Sequence, residues 1–301
     1  MASLIVGFVG LGDQGAPMAE AISEAGYSLH VWARRIQSLD ALHRVKYHRH
    51  DSLECLAAEV DVLSLCLRDD KDVWELIRDG RLKALRPGAT VVNHGTGDPT
   101  ENEDIAAFLA ESGIAYLDAP VSGGRPGALA RTLTTFVGGD AGNFERCRPV
   151  FNAFSRKVAR MGGVGFGQLT KLLNNAITMT NLKNAVDVFT FARKLGIDIP
   201  RFFDAITASS GSSAVLQSIG TQIDSNAAVH IQSLMRKDIE HFMDAMRARN
   251  LDAGAVRERG LSGAEGMIEL TKWIEGMITP DESDRMTRAT RPLTDSKRVH
   301  R

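Results

Sequence analysis

Cysteine is scarce in this sequence: Cys55, Cys66 and Cys147 are its only thiols, an odd number without metal-ligand spacing. That count excludes a disulfide-stapled secreted scaffold and gives no metal site, leaving buried or stray thiols in a reducing cytosol. An excess of one charge is also missing. The formal net charge is -1, so neither nucleic acid nor an anionic membrane surface is an expected partner. No apolar run approaches the ~20 residues needed to cross a bilayer, and no basic segment precedes an apolar one at the N-terminus. A cytoplasmic protein is therefore expected. There are no repeats or low-complexity tracts, and residues 281–301, polar and rich in Arg and Thr, read as a loosely held tail.

What the sequence does have begins at its fourth residue. Leu4, Ile5, Val6, Phe8 and Val9 form a short apolar run, as expected of a parallel strand covered on both faces. Gly10, Gly12 and Gly15 follow as G-x-G-x-x-G, with Leu11 and Asp13 between them. In that spacing the first glycine permits a tight turn, the second lets a pyrophosphate approach the backbone, and the third lets the next helix lie close to the strand. Pro17 falls in the first turn of that helix, where no N–H is needed, and Gly26 supplies its stop. Three glycines in a turn say little alone. The strand before them, the helix after them and a second strand over 27–33 make the stretch a dinucleotide cradle.

An NAD site usually carries Asp or Glu at the end of that second strand, to bind the adenosine ribose. Here Ala33 stands there, followed by Arg34 and Arg35. A 2'-phosphate would meet guanidinium groups and no carboxylate, so NADP(H) is expected over NAD(H); the alternative is two solvated surface charges. Strands over 60–67, 89–93, 116–119 and 134–137 then alternate with helices over 72–77 and 100–112, and Asp140 caps a helix running to 154. This alternation predicts a doubly wound parallel sheet of Rossmann type. Ligands of such sheets bind beyond the carboxyl ends of the strands, which makes 68–71 and 94–99 candidate lining segments.

Between the last two strands, Ser122, Gly123 and Gly124 bring a hydroxyl together with unshielded backbone N–H groups, which suits a carboxylate; a plain glycine-rich loop is the alternative. From Gly162 the run GGVGFGQ reads as a flexible junction with no further strand beyond it. A dinucleotide-binding domain over 1–162 and an all-helical substrate and oligomerisation domain over 163–301 are expected, the second built on a long interdomain helix over 168–195, ~42 Å at ~1.5 Å per residue. Apolar residues surround much of that helix, so burial between domains or subunits is expected. Lys171 and Asn175 lie four apart on it, on one face. In a partly desolvated cleft a lysine pKa falls toward working pH, the condition for a general acid or base, and Asn175 could bond both the lysine and a substrate hydroxyl. The bland alternative is a snorkelling lysine. Later helices are predicted over 202–209, 214–223, 233–249 and 257–276. Lys237 and Asp238 read either as a surface ion pair or with Lys237 reaching the cofactor or an acidic substrate.

Taken together, GFVGLGDQGAPMA, DAPVSGG, GQLTKLLNN and the late RKD strongly resemble the β-hydroxyacid dehydrogenase family, the relatives of 3-hydroxyisobutyrate dehydrogenase and tartronate semialdehyde reductase. The four motifs stand in the family's order and cover the chain to about residue 240. The resemblance implies that Gly10, Leu11, Gly12, Asp13, Gly15, Arg34, Arg35, Leu67 and Thr96 serve the dinucleotide, and that Ser122, Gly123 and Gly124 hold the substrate. It implies Lys171 as the acid or base, Asn175 and Lys237 as its assistants, and a homodimer or homotetramer. Four positions depart from the family pattern: Arg68 for proline, Gly95, preceded by His94, for serine, Arg131 for glycine, and His230 for phenylalanine. Arg125 and Arg131 beside the substrate loop suggest an acid or phosphorylated acid. The decarboxylating branch has a histidine three residues after the lysine and a glutamate seven after it; Asn174 and Thr178 stand there. Imine reductases replace the lysine itself. The expected enzyme is thus a non-decarboxylating, NADP-dependent oxidoreductase acting on a small 3-hydroxy acid or its semialdehyde, the alternative being a non-catalytic nucleotide-binding scaffold of the same fold.

Overall fold

In the computed structural model of the chain the described residues are 4–277; the expected tail over 281–301 lies outside them. Contacts divide the chain into two compact units, one of residues 4–176 with Asp238–Arg257, the other of Ile177–Lys237 with 258–277.

The first unit is a doubly wound α/β layer. Its elements run β1 (Ile5–Val9), α1 (Gly15–Glu24), β2 (Ser28–Trp32), a 3-10 turn (Ile36–Leu42), β3 (His48–Arg49), α2 (Leu53–Glu59), β4 (Val62–Leu65), α3 (Asp70–Arg78), β5 (Thr90–Asn93), α4 (Pro99–Ala110) and β6 (Ala115–Asp118). Then follow β7 (Val121–Ser122), α5 (Gly124–Leu129), β8 (Leu133–Gly139), α6 (Ala141–Phe151), β9 (Ser155–Gly162) and the long α7 (Phe166–Lys194). Among the described residues the sheet order is β3-β2-β1-β4-β5-β6-β8-β7, with β9 also on β8. From β3 to β6 every pairing is parallel, β8 runs antiparallel to β6 and β7, and β9 is parallel to β8.

Successive strand residues point to opposite faces, and here both faces are buried, so the strands read as continuous apolar runs. Phe8, Val62, Val92 and Leu117 join Met18 and Ile22 of α1 and Phe151 of α6 on one face. Val9, Leu63, Leu65, Val91 and Tyr116 join Leu56 of α2, Val73 of α3 and Ile105 of α4 on the other. The helix ends follow from capping side chains: Asp69 accepts from the Asp72 N–H, Asp98 from Thr100 and Glu101, and Asp140 from Asn143.

The sequence reading missed β9. Residues 155–162 continue past the end of α6, which stops at Phe151, and form a strand at the sheet's rim whose side chains are mostly solvent-facing. With Arg156, Lys157 and Arg160 on it, the apolar alternation that marks a half-buried strand is absent. The GGVGFGQ junction is also not a free hinge. A Cβ on Gly167 would stand 2.5 Å from the Asp118 carbonyl oxygen and 2.7 Å from that of Phe136, so this glycine is required by close packing.

The second unit is all helical. The rest of α7, α8 (Ile199–Thr207), α9 (Ala214–Ser218), the first part of α10 (Ser225–Arg247) and most of α11 (Gly254–Ile274) enclose Leu182, Phe189, Leu216, Ile219, Met267 and Trp273. A Cβ on Gly263 would fall 2.2 Å from the Met179 carbonyl oxygen, which sets how closely α11 approaches α7. The helix expected over 214–223 stops at Ser218, and Gly220 turns the chain with φ +74°. The division into compact units falls inside α7 and again inside α10. Among the described residues no helix is long and apolar enough to cross a membrane.

Candidate functional site

The glycine loop opens a cleft of about 580 Å³ at the carboxyl ends of β1, β2 and β4, lined by Gly10, Leu11, Gly12, Ala33, Arg34, Arg35, Ser38, Leu67, Arg68 and Arg81. Each glycine answers to a different constraint. Gly10 has φ +96°, and a Cβ there would lie 2.2 Å from the Cys66 carbonyl oxygen. A Cβ on Gly15 would lie 1.9 Å from the carbonyl oxygen of Gly10 itself, so α1 can start this close to β1 only without a side chain. A Cβ on Gly12 would meet nothing within 4 Å, so that side of the loop is open to a ligand. These features fit a dinucleotide's pyrophosphate at the head of α1, where unpaired N–H groups favour an anion. Four guanidinium groups, Arg34, Arg35, Arg68 and Arg81, line the same cleft together with the carboxylates of Asp72 and Glu75, and Arg81 lies over the Trp32 ring at 5.9 Å. Arg34 also stands 3.8 Å from Glu75. A separate cavity of about 600 Å³, near Tyr27, Lys46 and Tyr47, opens at the other end of β2, away from the glycine loop.

The loops after β4 and β5 are fixed by a buried polar network. Asp70 accepts from the Asp98 N–H at 2.7 Å and from Asn102 at 3.0 Å, and Tyr116 donates to Asn102 at 2.7 Å. Burial raises the Asp70 pKa. Gln168, fully buried at the start of α7, accepts from the Gly97 N–H at 2.9 Å and donates to the Gly95 carbonyl at 2.8 Å. Gly95 stands where the family carries serine, and a Cβ there would come 2.7 Å from the Leu67 carbonyl oxygen. His94 is a core residue: it bonds the Ala119 carbonyl at 3.0 Å, packs among Phe8, Phe151 and Phe154, and is pushed down to about 4 by burial. Thr96 is half-buried in the same loop.

Asp118, at the end of β6, secures the head of α7, accepting from the Gly165 N–H at 2.9 Å and the Gln168 N–H at 2.7 Å. Burial pushes its pKa up to about 7, against the pull of those N–H groups. One turn further along α7 stands Lys171. Its surface is half-buried, yet the surrounding protein removes enough water to lower its pKa, while the charge of Asp238 acts in the opposite sense. Asn175 donates to Asp238 at 2.7 Å and accepts from Asn174 at 3.1 Å, and Asn174 donates to the Ser122 hydroxyl at 3.4 Å. Gly123 takes φ +129° and caps α5, so Ser122, Gly123 and Gly124 lead into a helix start whose first N–H groups have no partner within the helix.

The structure thus connects Ser122, Asn174, Asn175 and Asp238 by hydrogen bonds, and brings Gly10, Leu11, Gly12, Arg34, Arg35 and Leu67 into one cleft. Lys171 stands one turn before Asn175 on α7, within the field of Asp238. Asp13 is exposed, 4.0 Å from Arg125, and Gly15 lies beneath the loop. Lys237, half-buried on α10, falls in the other compact unit. The Arg131 guanidinium pairs with Glu24 of α1, and its backbone takes φ +57°, a conformation that favours glycine. His230 is exposed on α10. Asp238 was read from the sequence only as the ion-pair partner of Lys237, and Gln168 was not singled out, since nothing local marks it.

Two family models match the chain: the NAD binding domain of 6-phosphogluconate dehydrogenase over residues 5–163, and the NAD-binding region of NADP-dependent 3-hydroxyisobutyrate dehydrogenase over residues 165–258. The chain is 33% identical over 225 residues to 2-hydroxy-3-oxopropionate reductase of Escherichia coli, covering 72% of this chain and 75% of that one. It is 34% identical over 214 residues to an NAD-dependent L-serine dehydrogenase of Pseudomonas aeruginosa, covering 70% and 72%. Among solved structures, it is similar to the 3-hydroxyisobutyrate dehydrogenase of Mycobacterium tuberculosis determined with L-serine, with TM-score 0.76, 25% identity, and 92% of this chain and 100% of that one covered.

Proposed function

The chain belongs to the β-hydroxyacid dehydrogenase family, NAD(P)-binding oxidoreductases of hydroxy acids, and from that premise we propose that it transfers hydride reversibly between NADP(H) and the carbinol carbon of a small 3-hydroxy acid or its semialdehyde, without decarboxylation. The compounds named for its relatives, 2-hydroxy-3-oxopropionate and L-serine among them, define the size class. Gly10, Leu11, Gly12, Asp13, Gly15, Leu67 and Thr96 hold the dinucleotide, with Lys237 assisting. Arg34 and Arg35 favour the 2'-phosphate, and the guanidinium of Arg81 adds to the same field. Bound nicotinamide supplies or accepts the hydride.

The remaining work falls to the chain's own residues. Ser122 and the backbone N–H groups of Gly123 and Gly124 anchor the substrate carboxylate. Neutral Lys171 takes the hydroxyl proton in the oxidative direction, and its ammonium returns a proton to the carbonyl oxygen in reduction. The charge of Asp238 favours that ammonium and its carboxylate orients Asn175, whose second amide N–H is left for the substrate oxygen. The enzyme works as a homodimer or homotetramer in the cytoplasm.

The observation that carries this reading is Lys171 on α7, desolvated and within the field of Asp238, beside a hydrogen-bonded set that runs from Asp238 through Asn175 and Asn174 to Ser122. The experiment is Lys171→Ala, assayed against short 3-hydroxy acids with NADP+ and their semialdehydes with NADPH. Turnover is expected to fall by ~10²- to 10⁴-fold, the usual range for a lost general acid or base. NADPH affinity stays unchanged, and NADPH binds more tightly than NADH to both proteins. An equal loss of cofactor affinity would make the lysine structural, and tighter NADH binding would overturn the NADP assignment.

A further inference from the structure

Away from the glycine loop, at the β3 edge of the sheet, the chain gathers two imidazoles and a carboxylate that the proposed reaction does not use. His30 lies on β2, His50 directly follows the two-residue β3, and Glu59 ends α2. The backbone fixes this convergence, because His30 pairs with His48 in register and the His50 N–H donates to the Val31 carbonyl at 2.9 Å. His30 is 6% exposed; Glu59 reaches in from the surface.

The three donor atoms form a tight triangle. His30 Nδ1 lies 2.9 Å from His50 Nε2 and 3.5 Å from Glu59 Oε2, and the third side is 4.0 Å. In a tetrahedral zinc site with ligands at ~2.0–2.1 Å, neighbouring donor atoms stand about 3.3 Å apart, and these sides scatter around that value. Proton counting points the same way. A single proton can sit between the two ring nitrogens, and whichever ring donates it, neither nitrogen has another to offer the carboxylate. Three lone-pair atoms therefore face one another with one proton among them. His30 Nε2 lies 3.2 Å from the Ser28 hydroxyl; when that ring N–H donates to the hydroxyl, the outer bond orients the imidazole and leaves Nδ1 bare for a metal. His48, its ring 4.7 Å from that of His30, flanks the group.

We propose that His30, His50 and Glu59 bind one divalent zinc-class ion, with water at the fourth position, as a staple that ties β2, β3 and α2 together at the sheet edge. Two imidazoles and one carboxylate suit zinc and cobalt(II) and disfavour magnesium, which requires an oxygen octahedron.

The test uses the full chain without a histidine tag, stripped with chelator, and Zn2+ titrated against a chromogenic competitor. One ion per chain is expected, unaffected by excess Mg2+, and Co2+ should give the intense visible absorption of a four-coordinate site. Glu59→Gln, at a largely exposed position that leaves the core intact, should weaken Zn2+ by about tenfold or more, and so should His50→Asn; Ser28→Ala should cost about tenfold through the outer bond. Zn2+ should raise the melting temperature of the parent chain and not of these variants. Weak binding without fixed stoichiometry, or binding that Glu59→Gln and His50→Asn leave unchanged, would overturn the proposal and leave a histidine pair sharing a proton.

Discussion

Lys171 and Asp238 set the pH response of the proposed reaction. Burial lowers the lysine pKa from its ordinary 10.5, and the carboxylate of Asp238 pulls it part of the way back. Oxidation requires the free amine, so kcat/KM in that direction should rise with pH through the lysine pKa and level off above it; reduction requires the ammonium and should fall through the same point. In Asp238→Asn the charge that stabilises the ammonium is gone, so the midpoint of both profiles should move to lower pH. Reductive turnover near neutrality should drop while oxidation keeps its high-pH plateau more nearly. Profiles measured in both directions for the parent chain and this variant check the assignment. An unmoved midpoint means that another group titrates, or that Asp238 acts elsewhere.

Elements differ in how much of themselves they show in the sequence. β1, the glycine turn and α1 are legible because a local constraint fixes each residue type: an apolar strand, glycines where backbones touch, proline where no N–H is used. The capped helices announce themselves in the same way at Asp98 and Asp140. β9 is hidden because a rim strand with Arg156, Lys157 and Arg160 carries no apolar alternation. Lys171 and Ser122 are visible from their motifs, whereas Gln168 is not, since its partners, Gly95 and Gly97, lie more than 70 residues away on another loop. Long-range hydrogen bonds leave no periodic trace. This bond pair ties the loop after β5 to the head of α7, and Gln168→Leu would leave one buried N–H and one buried carbonyl without their partner. Each such group costs ~1–3 kcal/mol, so a total of about 2–6 kcal/mol is expected, read as a lower urea midpoint at unchanged slope. A stability equal to that of the parent would show that the loop and helix hold each other by other means.

For the whole molecule, α7 carries a message that a single copy of the chain does not absorb. Ile177, Val188, Phe191 and Leu195 are 62%, 52%, 63% and 73% exposed. With Asn184 they fall at intervals of seven, four, three and four residues, one stripe along one side of the helix. Such a stripe does not help the chain's own core, which takes Leu182 and Phe189 from the other side. Large aliphatic and aromatic side chains left in water in a continuous row mark a surface made to be covered. A second copy can cover it by symmetry, with the same stripe on both partners, and a stable interface of standard size buries about 1,600 Å² in total. Light scattering should therefore give a mass of at least twice the 32.7 kDa chain. Val188→Glu combined with Phe191→Glu places like charges opposite one another across such an interface and should shift the mass toward one chain. Dinucleotide affinity should stay unchanged in that variant, because no residue lining the cleft at Gly10 and Gly12 lies on α7. A parent chain that runs as a monomer at micromolar concentration would remove the assembly from the proposal, and a dimer indifferent to both glutamates would move its interface off α7.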